Sequence, residues 1–175
     1  MRVIGGVARG RPLKAKLPPT VRPTTDYARE AIFSMLESRG GLTDLVVVDL
    51  YCGSGALGIE AMSRGAAKVY FIDNDPACLA AAKANLEPLQ LKGEAVFLRA
   101  TLPIWHPTSD LDLVLADPPY GPLDLAGLLH GVHAARVVVE NDRHMDAPEG
   151  WAVTKTKRYG TTLVTMLEPL EWDEE

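Results

Sequence analysis

Leu45-Val46-Val47-Val48-Asp49-Leu50-Tyr51-Cys52-Gly53-Ser54-Gly55-Ala56-Leu57-Gly58 is the stretch that decides the fold. A run of β-prone residues closes on a carboxylate, enters a glycine turn within a few residues, and continues as helix-forming sequence to about Arg64. A strand that leads into a helix in this way is one step of a parallel sheet covered by helices. Glycine belongs in such a turn where the backbone must lie close against a ligand and a Cβ would clash.

Downstream the rhythm repeats. Lys68–Asp73 reads as a second strand and Pro76 to Leu86 as its alanine-rich crossover helix; Glu94–Arg99, Leu111–Ala116 and Arg136–Glu140 give three further strands. After Gly150 it changes. Trp151–Thr156 and Thr161–Leu167 are joined directly through Lys157-Arg158-Tyr159-Gly160, which predicts an antiparallel hairpin at the end of the sheet. Upstream, Ala28, Ile32, Met35 and Leu36 space an amphipathic helix from Thr25 to about Arg39, stopped by Gly40-Gly41. Residues 2–17 alternate short β-prone pieces with Gly5-Gly6 and Arg9-Gly10-Arg11-Pro12, the pattern of a small basic hairpin or arm. The expectation is an α/β fold with a mostly parallel, seven-stranded sheet.

The chain has 175 residues, 47% hydrophobic and 23% charged, which is the composition of one globular domain. That domain is expected to span 1–175, with 1–22 as the basic arm and 168–175 as an acidic tail. No segment has the apolar run that a secretory leader or a membrane span needs, so a soluble, cytoplasmic protein with no membrane partner is expected. Cys52 and Cys78 lack metal-like spacing. His130 and His133, three apart on an expected helix face, have no accompanying carboxylate or cysteine cluster, so no metal is expected.

Net charge is −5, but its distribution is uneven. In residues 1–39, eight basic side chains stand against three acidic ones, leaving an acidic remainder. A basic arm on an acidic body suits a protein that meets phosphates with one face, and it equally suits a solvated terminus. Arg9, Arg11, Lys14 and Lys16 are the arm's candidates for RNA contact. Lys157 and Arg158, with Lys155, form a second basic patch that reads either as part of the same face or as a solvated turn.

Three elements carry the chemistry. Asp49 ends the first strand before Gly53 and Gly55, and Asp73, with Asn74 beside it, ends the second, where it can accept the two hydroxyls of a ribose. Gly53-Ser54-Gly55-Ala56-Leu57-Gly58 also satisfies the dinucleotide pattern. A dinucleotide site brings a helix N-terminus to a pyrophosphate, however, and Asp49 ahead of the turn would repel one. The same carboxylate suits a cationic sulfonium or ammonium, as S-adenosylmethionine carries. The third element, Asp117-Pro118-Pro119-Tyr120, stands at the end of the fourth strand and decides between the two readings. Two prolines stiffen the backbone so that the Pro118 carbonyl and the Asp117 side chain offer two acceptors to a planar exocyclic NH₂. Tyr120 offers a face for a base to stack on, worth roughly 1–3 kcal/mol.

With these residues assembled, the chain resembles the RsmD family of bacterial 16S ribosomal RNA guanine-N2 methyltransferases over nearly its full length. Five stretches carry the resemblance: Arg2-Val3-Ile4-Gly5-Gly6 with Arg9-Gly10-Arg11; Arg22-Pro23-Thr24-Thr25-Asp26; Asp49 through Ala61 with Ser63-Arg64-Gly65-Ala66; Asp117 through Tyr120; and Arg158-Tyr159-Gly160. The resemblance implies a class I, Rossmann-like methyltransferase sheet, S-adenosylmethionine as donor, and methylation of one guanine in small-subunit ribosomal RNA, with that RNA or an assembling 30S particle as partner; a monomer is expected. By position, Asp49, Gly53 and Gly55 would line the donor's methionine and adenosine ends and Asp73 its ribose. Arg22, Thr24 and Thr25 would approach the methionine end, and Asp117 and Tyr120 would meet the target amino group. Tyr120 stands where family members often have Phe. Ala100-Thr101 stands where related enzymes place an acid for the adenine amino group, so Thr101 or the backbone would take that role.

Two alternatives follow from the same residues. The acceptor pair serves any planar NH₂, including adenine or cytosine in DNA or RNA and a protein glutamine. A non-catalytic ribosome-assembly factor that binds RNA through its arm would need none of the acceptor geometry.

Overall fold

A computed structural model describes residues 1–105 and 107–171. In chain order the elements are α1 (Asp26–Glu37), β1 (Val46–Leu50), α2 (Ala56–Ser63), β2 (Lys68–Asp73), α3 (Pro76–Leu86), β3 (Glu94–Arg99), β4 (Leu111–Ala116), α4 (Leu125–Leu129), β5 (Ala134–Asn141), β6 (Trp151–Tyr159) and β7 (Thr162–Pro169). A single 3₁₀ turn, Glu87–Leu89, follows α3.

The sheet has seven strands in the order β3-β2-β1-β4-β5-β7-β6. Strands β1 to β5 pair in parallel, and β7 runs antiparallel to both β5 and β6. The chain winds outward from β1 to β3 on one side, then returns to start β4 on the other side of β1. A parallel sheet that reverses its winding opens a crevice at the carboxyl ends of the two strands flanking the reversal, here β1 and β4.

Alternation along the strands builds a core on each face. Val47, Val69, Phe71, Leu113 and Leu115 point one way and pack with Phe33, Ile59 and Met62 of α1 and α2. Val48, Ile72, Val114, Val137 and Val139 point the other way, towards Leu125, Leu128 and Leu129. Each fully buried side chain of this size contributes about 1.5–3 kcal/mol.

The amino-terminal segment belongs to the first of these cores. Val3, Ala8 and Leu13 are buried, and Arg2 bridges Pro12 as in a short antiparallel turn. Glu60 of α2 accepts the backbone N–H groups of Ile4 and Gly5 at 2.9 and 2.7 Å. Its carboxylate also lies 4.0 Å from the buried Arg29 guanidinium. Gly6 is required where it stands, because a Cβ there would lie 1.9 Å from the Ser63 carbonyl oxygen and its φ is +75°.

Elsewhere the structure corrects the expectation. His130 and His133 do not share a helix face: α4 ends at Leu129, His130 caps it, and the His133 carbonyl accepts Leu111 N–H at the entry to β4. The five-residue α4 itself is too short to show a helical period in the sequence. Its start is fixed by Asp124, whose side chain accepts Gly127 N–H at 2.8 Å. Lys157, Arg158 and Tyr159 continue β6 rather than forming the connection, which is the tight turn Gly160-Thr161 with Gly160 at φ +62°. Of the acidic tail, Glu168 lies in β7 and pairs with Arg39 and Arg136, while residues 172–175 lie outside the described residues. Among the described residues no helix is long and apolar enough to cross a membrane, and no group of three or more His, Cys, Asp or Glu is gathered as a metal site would need.

Candidate active site

The crevice between β1 and β4 is a cavity of about 500 Å³. Its floor begins where β1 ends. Tyr51 takes a left-handed conformation at φ +60°, a strained choice for a residue with a Cβ, and turns the chain sharply out of the sheet. Cys52 N–H then bonds the Ile72 carbonyl at 3.0 Å, Gly53 N–H bonds Asp73 Oδ2 at 3.0 Å, and Gly55 N–H closes the turn on the Cys52 carbonyl at 2.7 Å. Asp73 also accepts Asp75 N–H through Oδ1, so this carboxylate joins the glycine loop to the start of α3.

Asp49 sits beneath this loop and outside the cavity lining. It is 1% exposed; Oδ2 accepts Gly58 N–H at 2.9 Å, and Oδ1 is buried with no partner among the described residues. Burial, and then the charges of Asp117 and Asp73, push its carboxyl well above the usual range, against the Gly58 hydrogen bond. The glycines differ in what they serve. Gly53 lines the cavity, where its Cβ would reach Val21 at 3.7 Å. At Gly55 a Cβ would lie 2.8 Å from Ala82 Cβ, so this glycine lets α3 pack on the loop.

The opposite wall comes from β4 and β5. Asp117, Pro118, Pro119 and Tyr120 all line the cavity. Thr24, in the segment before α1, donates its hydroxyl to Asp117 Oδ2. Arg22 lies over the Tyr120 ring with its guanidinium carbon 4.3 Å from the centroid. Burial raises the Asp117 carboxyl to about 6, while the Thr24 hydrogen bond and the Arg22 charge hold it down. Tyr120 is 36% exposed, and its hydroxyl meets Thr162 Oγ1 at 2.7 Å.

Of the residues singled out in the sequence, the cavity thus gathers Arg22, Thr24, Gly53, Asp73, Asn74, Asp117, Pro118 and Tyr120. Thr25, Asp49, Gly55 and Thr101 stand outside its lining. Thr25 caps α1 by accepting Ala28 N–H, and the Thr101 carbonyl accepts Ile104 N–H beyond the end of β3. The basic candidates Arg9, Arg11, Lys14, Lys16, Lys157 and Arg158 are all exposed. Sequence reasoning missed two residues of note. Asn85 of α3 accepts Ala15 N–H and donates to the Ser54 carbonyl, tying the amino-terminal segment to the glycine loop. Glu140 lines the cavity beside Asp117; the fifth apolar strand, like the first, second and fourth, closes on an acid, but that pattern alone does not set it beside Asp117.

The lining therefore holds four carboxyl groups, Asp73, Asp75, Asp117 and Glu140, against one guanidinium, Arg22. Such a cavity attracts a cationic ligand and repels a pyrophosphate.

Comparison with known proteins agrees with this geometry. The family described as conserved hypothetical protein 95 matches residues 1–168. The Bacillus subtilis protein YlbH is 34% identical over 95% of this chain and 97% of its own length. Ribosomal RNA small subunit methyltransferase D of Haemophilus influenzae is 30% identical over 91% of this chain and 89% of its own. Among solved structures, the Escherichia coli protein yhhF superposes with a TM-score of 0.78 at 30% identity, covering 97% of each chain. The sheet order, the crevice and these relatives agree: the chain has the class I methyltransferase fold and belongs to the conserved hypothetical protein 95 family, the family of ribosomal RNA small subunit methyltransferase D.

Proposed function

We propose that this protein transfers a methyl group from S-adenosylmethionine to the exocyclic N2 amino group of a guanine in small-subunit ribosomal RNA. The observation that carries the reading is the meeting, in one acidic cavity, of a glycine loop with Asp73 on one wall and the Asp117-Pro118-Pro119-Tyr120 turn on the other. The residues present fit the donor. The aspartates Asp73, Asp75 and Asp117 suit its cationic sulfonium and ammonium, Gly53 leaves room that a side chain would fill, and Asp73 stands at the end of β2 where a ribose is held in folds of this kind. When bound, S-adenosylmethionine supplies an electrophilic methyl group on a sulfonium.

The chain's own residues position the acceptor. Asp117 and the Pro118 carbonyl take the two N–H bonds of the amino group, which turns its nitrogen lone pair out of conjugation with the ring. Tyr120 stacks the base, and exclusion of water strengthens both polar contacts. Thr24 and Arg22 keep Asp117 ionised and therefore an acceptor. Reaching such a site requires the base to leave its stack, and the exposed basic residues of the amino-terminal segment and of β6 hold the flanking phosphates. The reading is tested with radiolabelled donor and purified small subunits that lack the modification, followed by mass mapping of the labelled nucleotide. Asp117→Ala should reduce transfer by at least about 10²-fold while donor binding persists in calorimetry; unchanged methylation would sink the mechanism.

A further inference from the structure

Glu140 is an acid in the cavity wall that has no task in the transfer as proposed. It is 3% exposed. Pairing of Ala116 with Val139 sets it beside Asp117 at the carboxyl edge of the sheet. The Thr162 hydroxyl, itself in contact with the Tyr120 hydroxyl, faces one side of the carboxyl group. One of the two carboxyl oxygens, Oε2, is buried and has no hydrogen-bond partner among the described residues. A buried acceptor left unpaired is costly, and unlike the unpaired Oδ1 of Asp49 this one belongs to a residue that lines the cavity, where a ligand can complete it.

We propose that Glu140 is a specificity-determining residue: Oε2 receives the ring N1–H of the guanine whose amino group rests on Asp117 and Pro118. The inference deepens the proposed guanine-N2 transfer and rests on it. Guanine carries a donor, N1–H, immediately beside its amino group. In adenine and in cytosine the ring nitrogen in that place is an acceptor. Two neighbouring carboxyl groups and one carbonyl thus match the three N–H bonds of guanine's N1–N2 edge. Ionised or protonated on Oε1, Glu140 keeps Oε2 as an acceptor. An acceptor on the base would leave Oε2 unpaired in a site closed to water, and a site built around a hydrogen bond rejects an analogue that cannot make it.

The test uses ribosomal RNA carrying guanine or 2-aminopurine at the nucleotide that mass mapping identifies. 2-Aminopurine keeps the amino group but has a bare N1. The wild-type protein should favour guanine by about 10- to 100-fold in kcat/KM. Glu140→Leu should bring that ratio near one, and Glu140→Gln, which keeps a carbonyl oxygen, should restore a preference for guanine. A ratio in Glu140→Leu equal to that of the wild type overturns the inference. Equal use of both bases by the wild type overturns it as well, and that comparison needs no variant to fold. A wild type that methylates neither base refutes instead the guanine reading on which the inference rests.

Discussion

At the scale of single residues, the site depends on which carboxyl groups are charged. Asp117 is the stronger acceptor for an amino group as a carboxylate, and burial raises it to about 6. The kcat/KM of the wild type should therefore fall about tenfold per pH unit below that value, as a pH–rate profile would show. The Thr24 hydroxyl opposes the rise, so Thr24→Val should move this acid limb to higher pH; an unmoved limb would mean that Asp117 does not set it. Glu140 gives a second sign, on stability rather than rate. Burial and then the Asp117 charge raise it to about 8, above its value in the unfolded chain. The folded protein then holds a proton that the unfolded chain releases, so stability from this group is full at low pH and is lost as pH rises towards 8. Replacing it with Gln should flatten that loss, by about 2–4 kcal/mol between pH 5 and 9 in urea unfolding. Asp117 and Tyr120 were legible in the sequence because a strand followed by Asp-Pro-Pro-Tyr has few other uses. Glu140 was not, because an acid after an apolar strand gains meaning only when its neighbouring strand is known to be β4.

At the scale of elements, the glycine loop and the amino-terminal segment are held by partners far away in sequence. Glu60 and Arg29 are both fully buried, and Glu60 also binds the backbone of Ile4 and Gly5 and the Arg64 guanidinium. Asp26 also pairs with Arg29, at 2.6 Å, but removing Glu60 would leave the Ile4 and Gly5 N–H groups without their acceptor and the buried Arg29 with one partner fewer. Glu60→Ala should therefore destabilise the fold by about 3–5 kcal/mol in chemical denaturation; a loss under about 1 kcal/mol would show that the segment is not anchored there. The sequence showed a helix around Glu60 but held no reason for an acid on its buried face. The same limit applies to Gly55 and Gly58. A turn against a ligand was read from the pattern, whereas a Cβ at Gly55 would meet Ala82 and one at Gly58 would lie 2.4 Å from the Phe71 ring. Those neighbours belong to element packing, which local sequence does not encode.

For the whole molecule, an acidic cavity must admit one base of a polyanion, so attraction has to come from elsewhere on the surface. Lys14 and Lys16 are exposed on either side of Ala15, whose N–H is fixed to Asn85 of α3. Replacing both with Glu should weaken binding to small-subunit RNA and reduce the slope of log Kd against log salt by about 0.7–0.9 for each phosphate that is no longer neutralised; an unchanged slope would remove these residues from the interface. The alternation of strands and helices, the closing hairpin, the glycine turn and the Asp-Pro-Pro-Tyr turn can all be read from the chain's own residue order. Each of these is written in neighbouring residues, through hydrophobic period, glycine conformation and proline stiffness. It takes the folded sheet to show that Asp49 lies under the loop while Asp73 faces the cavity, that Thr24 reaches Asp117 from another part of the chain, and that Glu140 stands beside it with an oxygen unpaired. Burial and strand order, which set those positions and their charges, are properties of the whole packed sheet.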